Sequence, residues 1–319
     1  MTGARLRLGA GVAVLAVVVW RVGTGPFLDG LRLVDAWSVA WACAITAITT
    51  LCCAWRWHLV SRGLGVEVPV RAAVAAYYRS QLLNLTLPGG VVGDVHRAVR
   101  HGREAGDVGR GARAVVWERT AGQVVQVALT VVLLLVLPSP VRGYVPLVAL
   151  GLALGALVVA LAGRALPRSG ASRVSRAAGL AVHDVRHVLL APRAWPGILL
   201  ASVLVVAGHT TTFLVAARTA GVTTSFVALL PLALLVLAAM AVPLSLGGWG
   251  PREGMAAWAF AVAGLGASLG VTTAVVYGVL VLVASLPGAA VLLADARRSP
   301  LPVVAGPRDG LAVGGGVRA

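Results

Sequence analysis

Charged residues are scarce in this chain, and lysine is absent altogether. Only 12% of the 319 residues are charged, whereas 59% are hydrophobic. A soluble domain of this length would need far more polar surface to cover its core, which excludes a soluble globular protein. Apolar runs of roughly 17 to 24 residues recur along the chain, and this length crosses the ~30 Å hydrocarbon core of a bilayer. The composition therefore predicts an all-α, polytopic transmembrane bundle.

Cysteine and acidic residues are few as well. The three cysteines, Cys43, Cys52 and Cys53, lie in one apolar run, which fits neither a disulfide framework nor a metal site. The 11 acidic residues are outnumbered by 27 arginines, which leaves a formal net charge of +16. We expect no nucleic-acid partner, because no soluble basic domain is present to carry that charge. We also expect no cofactor and no metal.

The hydropathy pattern predicts about eight spans and one ambiguous apolar segment, Ala72–Pro88. If that segment enters and leaves on the same side, 20 arginines fall on one side of the membrane and only four on the other. If the segment crossed, most of this bias would be lost, so the positive-inside rule favours a re-entrant or broken segment. The eight predicted spans are Leu6–Val22, Val34–Trp57, Ala114–Leu137, Tyr144–Ala162, Trp195–Ala217, Ser225–Leu246, Met255–Leu269 and Val271–Ala294.

The same rule predicts the orientation and the domain organisation. The arginine-rich side is expected to face the cytoplasm, with both termini on that side of the plasma membrane. Arg56 is counted with this cytoplasmic set. Residues 1–295 are expected to form a single transmembrane domain. The Gly/Pro-rich, aperiodic residues 296–319 are expected to form a disordered cytoplasmic tail.

Two stretches far apart in the chain share one pattern: NLTLPGGVVGDVHRAVR at 84–100 and VPLSLGGWGPREG at 242–254. Each has a proline, a Gly-Gly pair, a further glycine and then charged residues. Such breaks survive in a bilayer only where protein or a water-filled cavity shelters the backbone, and paired breaks indicate a transport site between two halves. Tight cytoplasmic turns are the alternative reading. The predicted helix-break residues are Pro88, Gly89, Gly90, Gly93, Pro243, Gly247, Gly248 and Gly250.

Charged residues accompany both breaks. Arg79 lies within an apolar segment, where an unpaired guanidinium costs about 3 kcal/mol. Glu118 is therefore predicted to pair with Arg79 or Arg252. The arginines could instead remain free to bind a phosphate, which guanidinium holds through two hydrogen bonds. The candidate substrate-binding residues are Arg79, Asn84, Asp94, Arg97, Glu118, Arg119, Arg252 and Glu253.

Further predictions concern the contacts of other polar residues near or within the apolar segments. Asp94 is expected to pair with Arg97 or Arg119. Gln123 and Gln126 are expected to hold neighbouring helices together by hydrogen bonds. We expect His209 to form a simple hydrogen bond with a neighbouring hydroxyl. A proton-relay role for His209 is the alternative.

The strings LNLTLPGGVVGDVHRAVR, VVWERTAG and PLSLGGWGPREGMAAWAF, in this order, resemble the lysylphosphatidylglycerol synthase transmembrane region, also called the flippase-like domain family. The resemblance covers about residues 10–295, with Val92 where a glycine is usual and Trp249 at a variable position. It implies a polytopic lipid-handling module. The best-known members move an aminoacylated phospholipid and are followed by a soluble synthase domain. We expect no such domain here, and hence no lysine transfer from transfer RNA.

The sequence leaves three functions open. The first is a translocator without catalytic activity, handling an anionic phospholipid or a polyprenyl-linked sugar. The second is an accessory scaffold that docks a membrane glycosyltransferase. The third is a membrane-embedded lipid-phosphate transferase, which we favour least. Its outer loop offers only Asp29 and Asp35, without the close acidic pair that a metal-assisted transferase uses.

Overall fold

A computed structural model describes residues 16–137, 142–144, 146, 150, 173–240 and 249–298. The regular structure in these residues is helical, as predicted, and residues 16–22 are helical as well. The helices are α1 (Gly25–Arg32), α2 (Ala36–Gly63), α3 (Val70–Thr86), α4 (Val92–Glu104), α5 (Val108–Val136), α6 (Arg173–Asp184), α7 (Trp195–Thr219), α8 (Phe226–Ala239), α9 (Pro251–Val262), α10 (Ala267–Ser285) and α11 (Pro287–Arg298). A short π-helical stretch, Val185–Leu189, follows α6.

Four apolar helical stretches in the described part are long enough to cross a membrane. They are α2, α5, α7 and the 31-residue run Ala267–Arg297, formed by α10 and most of α11. The helix that contains the predicted span Val34–Trp57 ends only at Gly63, because α2 continues beyond Trp57 for about a turn and a half through both apolar and polar residues. The chain is therefore a multi-pass helical membrane protein.

The two ends of this bundle differ in composition. At one end, Gly63 of α2 packs on Val188, Gly102 of α4 packs on Gly111 of α5, and Arg113 pairs with Asp184. Arg62, Arg103, Arg110, Arg113 and Arg186 lie in the helical turns that meet here, and we call it the arginine-rich end. The opposite end holds α1, the start of α2, the end of α7 and the start of α10. α1, the end of α7 and the start of α10 border a cleft lined by residues that include Pro26, Arg32, Ala220 and Ser268.

Helices α3 and α4 form a hairpin that enters and leaves at the arginine-rich end. α3 follows the last residue of α2 after a short loop, and α4 is followed at once by α5. The chain reverses at residues 87–91, where Gly89 and Gly90 adopt positive φ angles of 96° and 64°. Gly93 lies so close to α3 that an added Cβ would overlap the carbonyl oxygen of Ser80. The ambiguous segment Ala72–Pro88 is thus re-entrant, as predicted.

Helices α8 and α9 form a second hairpin, which begins and ends at the opposite end. The structure here differs from the predicted pair of spans, Ser225–Leu246 and Met255–Leu269. α9 has only 12 residues, a length of ~18 Å, well short of the ~30 Å hydrocarbon core. α7 leads into this hairpin and α10 leaves it, as α2 and α5 flank the first hairpin. The two halves therefore share the order helix, hairpin, helix, but in opposite orientations.

The hydrophobic core follows the same division. One cluster surrounds Trp57 and Tyr77 and joins α2, α3, α4, α5 and α7. The other surrounds Phe213, Phe260 and Tyr277 and joins α7, α8, α9 and α10, with one contribution from α2. Each hairpin is consequently anchored in its own half of the core.

Several predictions fall wholly or largely outside the described residues. They are the helix-break residues Pro243, Gly247 and Gly248, most of the spans Leu6–Val22 and Tyr144–Ala162, and the tail beyond Arg298.

Candidate functional site: an arginine-lined cavity between two hairpins

The two hairpins meet at a cavity of ≈ 250 Å³ in the centre of the bundle. Gly90, at the break of the first hairpin, lines one wall, and Pro251, at the start of α9, lines another. The walls between them come from α2, α3, α5, α7, α8 and α10. The structure thus brings together two breaks that are some 160 residues apart in the chain. We refer to this space as the central cavity.

The charged residues on the cavity wall are all of one sign. Arg56, Arg119 and Arg252 line the cavity, and no described carboxylate does. The side chain of Arg119 is 42% exposed although the residue lies in the middle of the bundle, because its exposed atoms face the cavity. The carboxylates lie behind these arginines and hold them in place.

Glu118 of α5 is fully buried and accepts hydrogen bonds from two arginines. Arg56 of α2 donates to its Oε1 from Nε at 2.8 Å and from Nη2 at 2.5 Å, and Arg97 of α4 donates to its Oε2 at 3.0 Å. Arg56 also donates a hydrogen bond from Nη1 to the hydroxyl of Ser202 at 3.0 Å. An isolated carboxylate could not be accommodated at this depth, but a carboxylate paired in this way can.

Two predictions fail at this point. Glu118 pairs with neither Arg79 nor Arg252, and Arg56, which was counted with the cytoplasmic arginines, pairs with the buried Glu118. Arg56 lies within α2 and is only 5% exposed. Its approach to Glu118 depends on a glycine, since a Cβ at Gly122 would lie 2.7 Å from Arg56 Nη1.

Asp94, in the first turn of α4, is the centre of a second group of polar contacts. Its Oδ2 accepts from Arg119 Nη2 at 2.6 Å and from the amide of Asn84 at 3.1 Å. Its Oδ1 accepts from Arg97 at 3.2 Å and from the Ser80 hydroxyl at 3.0 Å. The prediction that Asp94 pairs with Arg97 or Arg119 is confirmed for both.

Asn84 connects the two arms of the first hairpin. Its side-chain oxygen accepts a hydrogen bond of 2.7 Å from the backbone N–H of Gly93. That N–H belongs to the first turn of α4, where backbone donors have no partner within the helix. Together with its bond to Asp94, this contact fixes the start of α4 against the end of α3.

Arg97 does not reach the central cavity. Its guanidinium packs on the rings of Tyr77 and Trp57, at 4.0 Å and 4.6 Å from the ring centroids. The side chain is fully enclosed and bonds both Glu118 and Asp94. Arg97 therefore links the two carboxylates from behind.

The second break carries its own ion pair. Gly250 has a φ of 118°, and its N–H donates to Glu253 Oε2 at 2.6 Å. Glu253 Oε1 accepts from Arg252, from Nε at 2.7 Å and from Nη2 at 2.5 Å. The guanidinium lies 5.0 Å from the Trp249 ring and 5.6 Å from the Tyr277 ring. Glu253 thus caps α9 and positions Arg252 on the cavity wall.

Arg79 lies apart from the other candidate residues. It pairs with Asp295 of α11, which also accepts from Arg100 Nη1 at 2.7 Å. This contact joins the outer side of the first hairpin to the last described helix. Arg79 does not line the central cavity.

Some cavity residues were not predicted to face a site. Arg56 is the main one, and its position inside a long apolar run (LCCAWRWHLV) was the available signal. Gln123 and Gln126, predicted to join helices, line the cavity instead. His209 also lines it, and Nδ1 of its ring lies 3.0 Å from the Tyr277 hydroxyl, in keeping with the expected hydrogen bond to a hydroxyl. No cluster of potential metal ligands occurs among the described residues.

Long apolar helices, two opposed hairpins and an arginine-lined cavity between them define a polytopic membrane protein with an internal site. The chain belongs to the family described as the lysylphosphatidylglycerol synthase TM region, whose model matches residues 6–288. This match confirms the resemblance that the three motifs indicated. Comparisons with curated proteins and with solved structures found no match.

Proposed function

We propose that this protein is a lipid translocator that binds an anionic lipid headgroup in the central cavity. The headgroup belongs to an anionic phospholipid or a lipid-linked sugar. The observation that carries the proposal is the cavity wall, on which the charged residues among those described are Arg56, Arg119 and Arg252. Guanidinium groups bind phosphate through paired hydrogen bonds, and they do so most strongly where water is scarce.

The charges around the first hairpin leave an excess suited to an anion. Arg56, Arg97 and Arg119 contribute three positive charges, whereas Asp94 and Glu118 contribute two negative ones. One formal positive charge is left over, and the part of this cluster that faces the cavity consists of arginines. A bound phosphate would supply the missing negative charge.

The opposed hairpins support movement between leaflets. Broken helices from two inverted halves that meet near the middle of the bilayer are a recurrent design of transport sites. Here the first hairpin separates the cavity from the arginine-rich end, and the second separates it from the opposite end. We propose that the arginine-rich end faces the cytoplasm, with both termini on that side of the plasma membrane.

The test is lipid movement in proteoliposomes that contain phosphatidylglycerol labelled on an acyl chain. The leaflet distribution is read from quenching by an impermeant reductant. Arg119→Ala is expected to slow transfer about 10-fold or more, because a charge-assisted hydrogen bond to the phosphate is lost. Asp94 keeps three partners in this variant, namely Arg97, Ser80 and Asn84, so the fold is expected to survive.

Arg110→Ala is the matched control. Arg110 lies on the same helix, pairs with Asp107 and has a side chain that is 51% exposed, away from the cavity. This variant should transfer lipid at the wild-type rate. If Arg119→Ala also does so, the arginine-lined cavity is not the lipid path. A scaffold role beside a glycosyltransferase would then be the better hypothesis.

A further inference from the structure

Two amides on the wall of the central cavity, Gln123 and Gln126, take no part in the ion pairs. Arg119, Gly122, Gln123 and Gln126 line the cavity from α5, at positions i, i+3, i+4 and i+7. Residues with this spacing lie on one face of a helix. The row runs from the arginine towards two amides over about 10 Å of helix.

The side chain of Gln123 contains an unsatisfied hydrogen-bond acceptor. Its Oε1 atom is buried and has no hydrogen-bond partner among the described residues. A buried acceptor without a partner is costly, at about 1–3 kcal/mol, so such groups usually face a water or a ligand. By contrast, Gln81, which also lines the cavity, is engaged with Thr50, its Nε2 donating to the hydroxyl at 3.1 Å.

The volume of the cavity and the charges on its wall determine which headgroups can bind there. A volume of ≈ 250 Å³ holds several water molecules, which leaves room for a lipid headgroup. An ammonium group would find three arginines and no described carboxylate on the wall. A hydroxyl, which both donates and accepts, suits an amide row and needs no negative charge.

We propose that the site is specific for a phosphate ester that bears an uncharged, hydroxyl-rich group, and that it disfavours amine-bearing headgroups. The phosphate binds Arg119, and the hydroxyls bind Gln123 and Gln126 along α5. This assignment rests on the proposed anion site and adds a selectivity to it. Two lipid sources carry this chemistry: a phosphoglycerol headgroup and a sugar linked through phosphate to a polyprenyl chain.

The test is calorimetric titration of the full-length protein in detergent with matched short-chain lipids. Dioctanoyl phosphatidylglycerol and dioctanoyl phosphatidylpropanol have the same charge and chains, and only the first has free hydroxyls. Wild-type protein is expected to bind the glycerol lipid about 10-fold more tightly, since a site built for a hydroxyl rejects an analogue that lacks it. Dioctanoyl phosphatidylethanolamine should bind more weakly than both.

Variants assign this preference to the amides. Gln123→Leu is expected to abolish the preference while leaving the affinity for phosphatidylpropanol within about 2-fold, which also shows that the variant folds. Gln81→Leu is the matched control and should keep the preference, because Gln81 is already bonded to Thr50. The second possible lipid source, a sugar linked through phosphate to a polyprenyl chain, is tested by titration with a polyprenyl-phosphate hexose. Tighter binding than phosphatidylglycerol would assign the headgroup to a lipid-linked sugar.

The possible failures are distinguishable. If wild-type protein binds the glycerol and propanol lipids equally, or if Gln123→Leu keeps the preference, the selectivity is wrong and the anion site stands. If neither lipid binds and Arg119→Ala transfers lipid normally, the proposed function fails as well. Preferential binding of phosphatidylethanolamine would also overturn the assignment.

Discussion

Glu118 is the residue on which the buried charges of the first half depend. It has no exposed surface, and it accepts from both Arg56 and Arg97. Removal of one partner from a buried pair is strongly destabilising, because the other charge remains in a medium that cannot solvate it. Here one change would affect two guanidinium groups at once. Since neither arginine can lose its proton at physiological pH, neither can escape the penalty by becoming neutral.

Glu118→Gln is therefore expected to lower the free energy of unfolding by about 3 kcal/mol or more, measured by denaturant unfolding in mixed micelles. The control is Asp107→Asn, which disrupts an exposed pair with Arg110 at the start of the same helix. This control should change stability by less than about 1 kcal/mol. Equal effects from the two variants would mean that Glu118 does not hold the arginines together.

The sequence predicted some of these contacts and not others, for a physical reason. Asp94 and Arg97 are three residues apart, so a helical turn alone brings them together. The partners of Glu118 lie on α2 and α4, and no local pattern specifies which helices will be neighbours. The predicted end of the second span at Trp57 also placed Arg56 next to water, whereas α2 continues to Gly63.

At the scale of elements, Gly93 determines how closely the arms of the first hairpin approach. A Cβ at this position would overlap backbone atoms of Ser80, which cannot rotate away as a side chain can. The close approach is what allows Asp94 to reach both Ser80 and Asn84. The glycine is thus required by packing and not by an unusual φ angle.

Gly93→Ala is expected to separate α3 from α4, to lower the unfolding temperature in detergent and to slow lipid transfer more than 10-fold. Gly179→Ala in α6 provides the comparison, because nothing lies within 4 Å of a Cβ added there. Alanine favours a helix over glycine, so this second variant should be as stable as wild type or slightly more so. Normal transfer by Gly93→Ala would exclude tight hairpin packing as a requirement.

The two hairpins were not equally predictable. Arginines flank the first hairpin on both sides, so their distribution shows that the chain returns to the same end. For α8 and α9 the positive-inside rule cannot distinguish a hairpin from a pair of crossing helices, because both return the chain to its starting side. The similar Gly-rich motifs indicated a second break, but the shortness of α9 shows only in the structure.

At the scale of the whole molecule, the two hairpins enter from opposite ends of the bundle. Cysteine labelling with a membrane-impermeant reagent tests this, in a protein whose own Cys43, Cys52 and Cys53 are replaced by alanine. Glu67→Cys and Glu104→Cys flank the first hairpin, and Thr223→Cys and Ala263→Cys flank the second. The first two are expected to react from one side of the membrane, and the second two from the other.

Any mixed result within a pair would contradict this topology. If Glu67→Cys and Glu104→Cys reacted from different sides, the first hairpin would have to cross the membrane. Folding of each variant is checked by size-exclusion chromatography before labelling.

The five-residue reversal at 87–91 has a mechanical consequence. Both arms of that hairpin are tied to the rest of the chain at the same end, so the whole unit can tilt on those two attachments. α2, α5, α7 and α10 need not slide through the lipid for this to happen. The work of switching would then fall on the ion pairs that join the hairpin to its neighbours, Arg97–Glu118, Arg119–Asp94 and Arg79–Asp295, while the four long helices form a fixed frame. Under the proposed function, an incoming anionic headgroup would compete with these carboxylates for the same guanidinium groups, so that binding and tilting would be coupled.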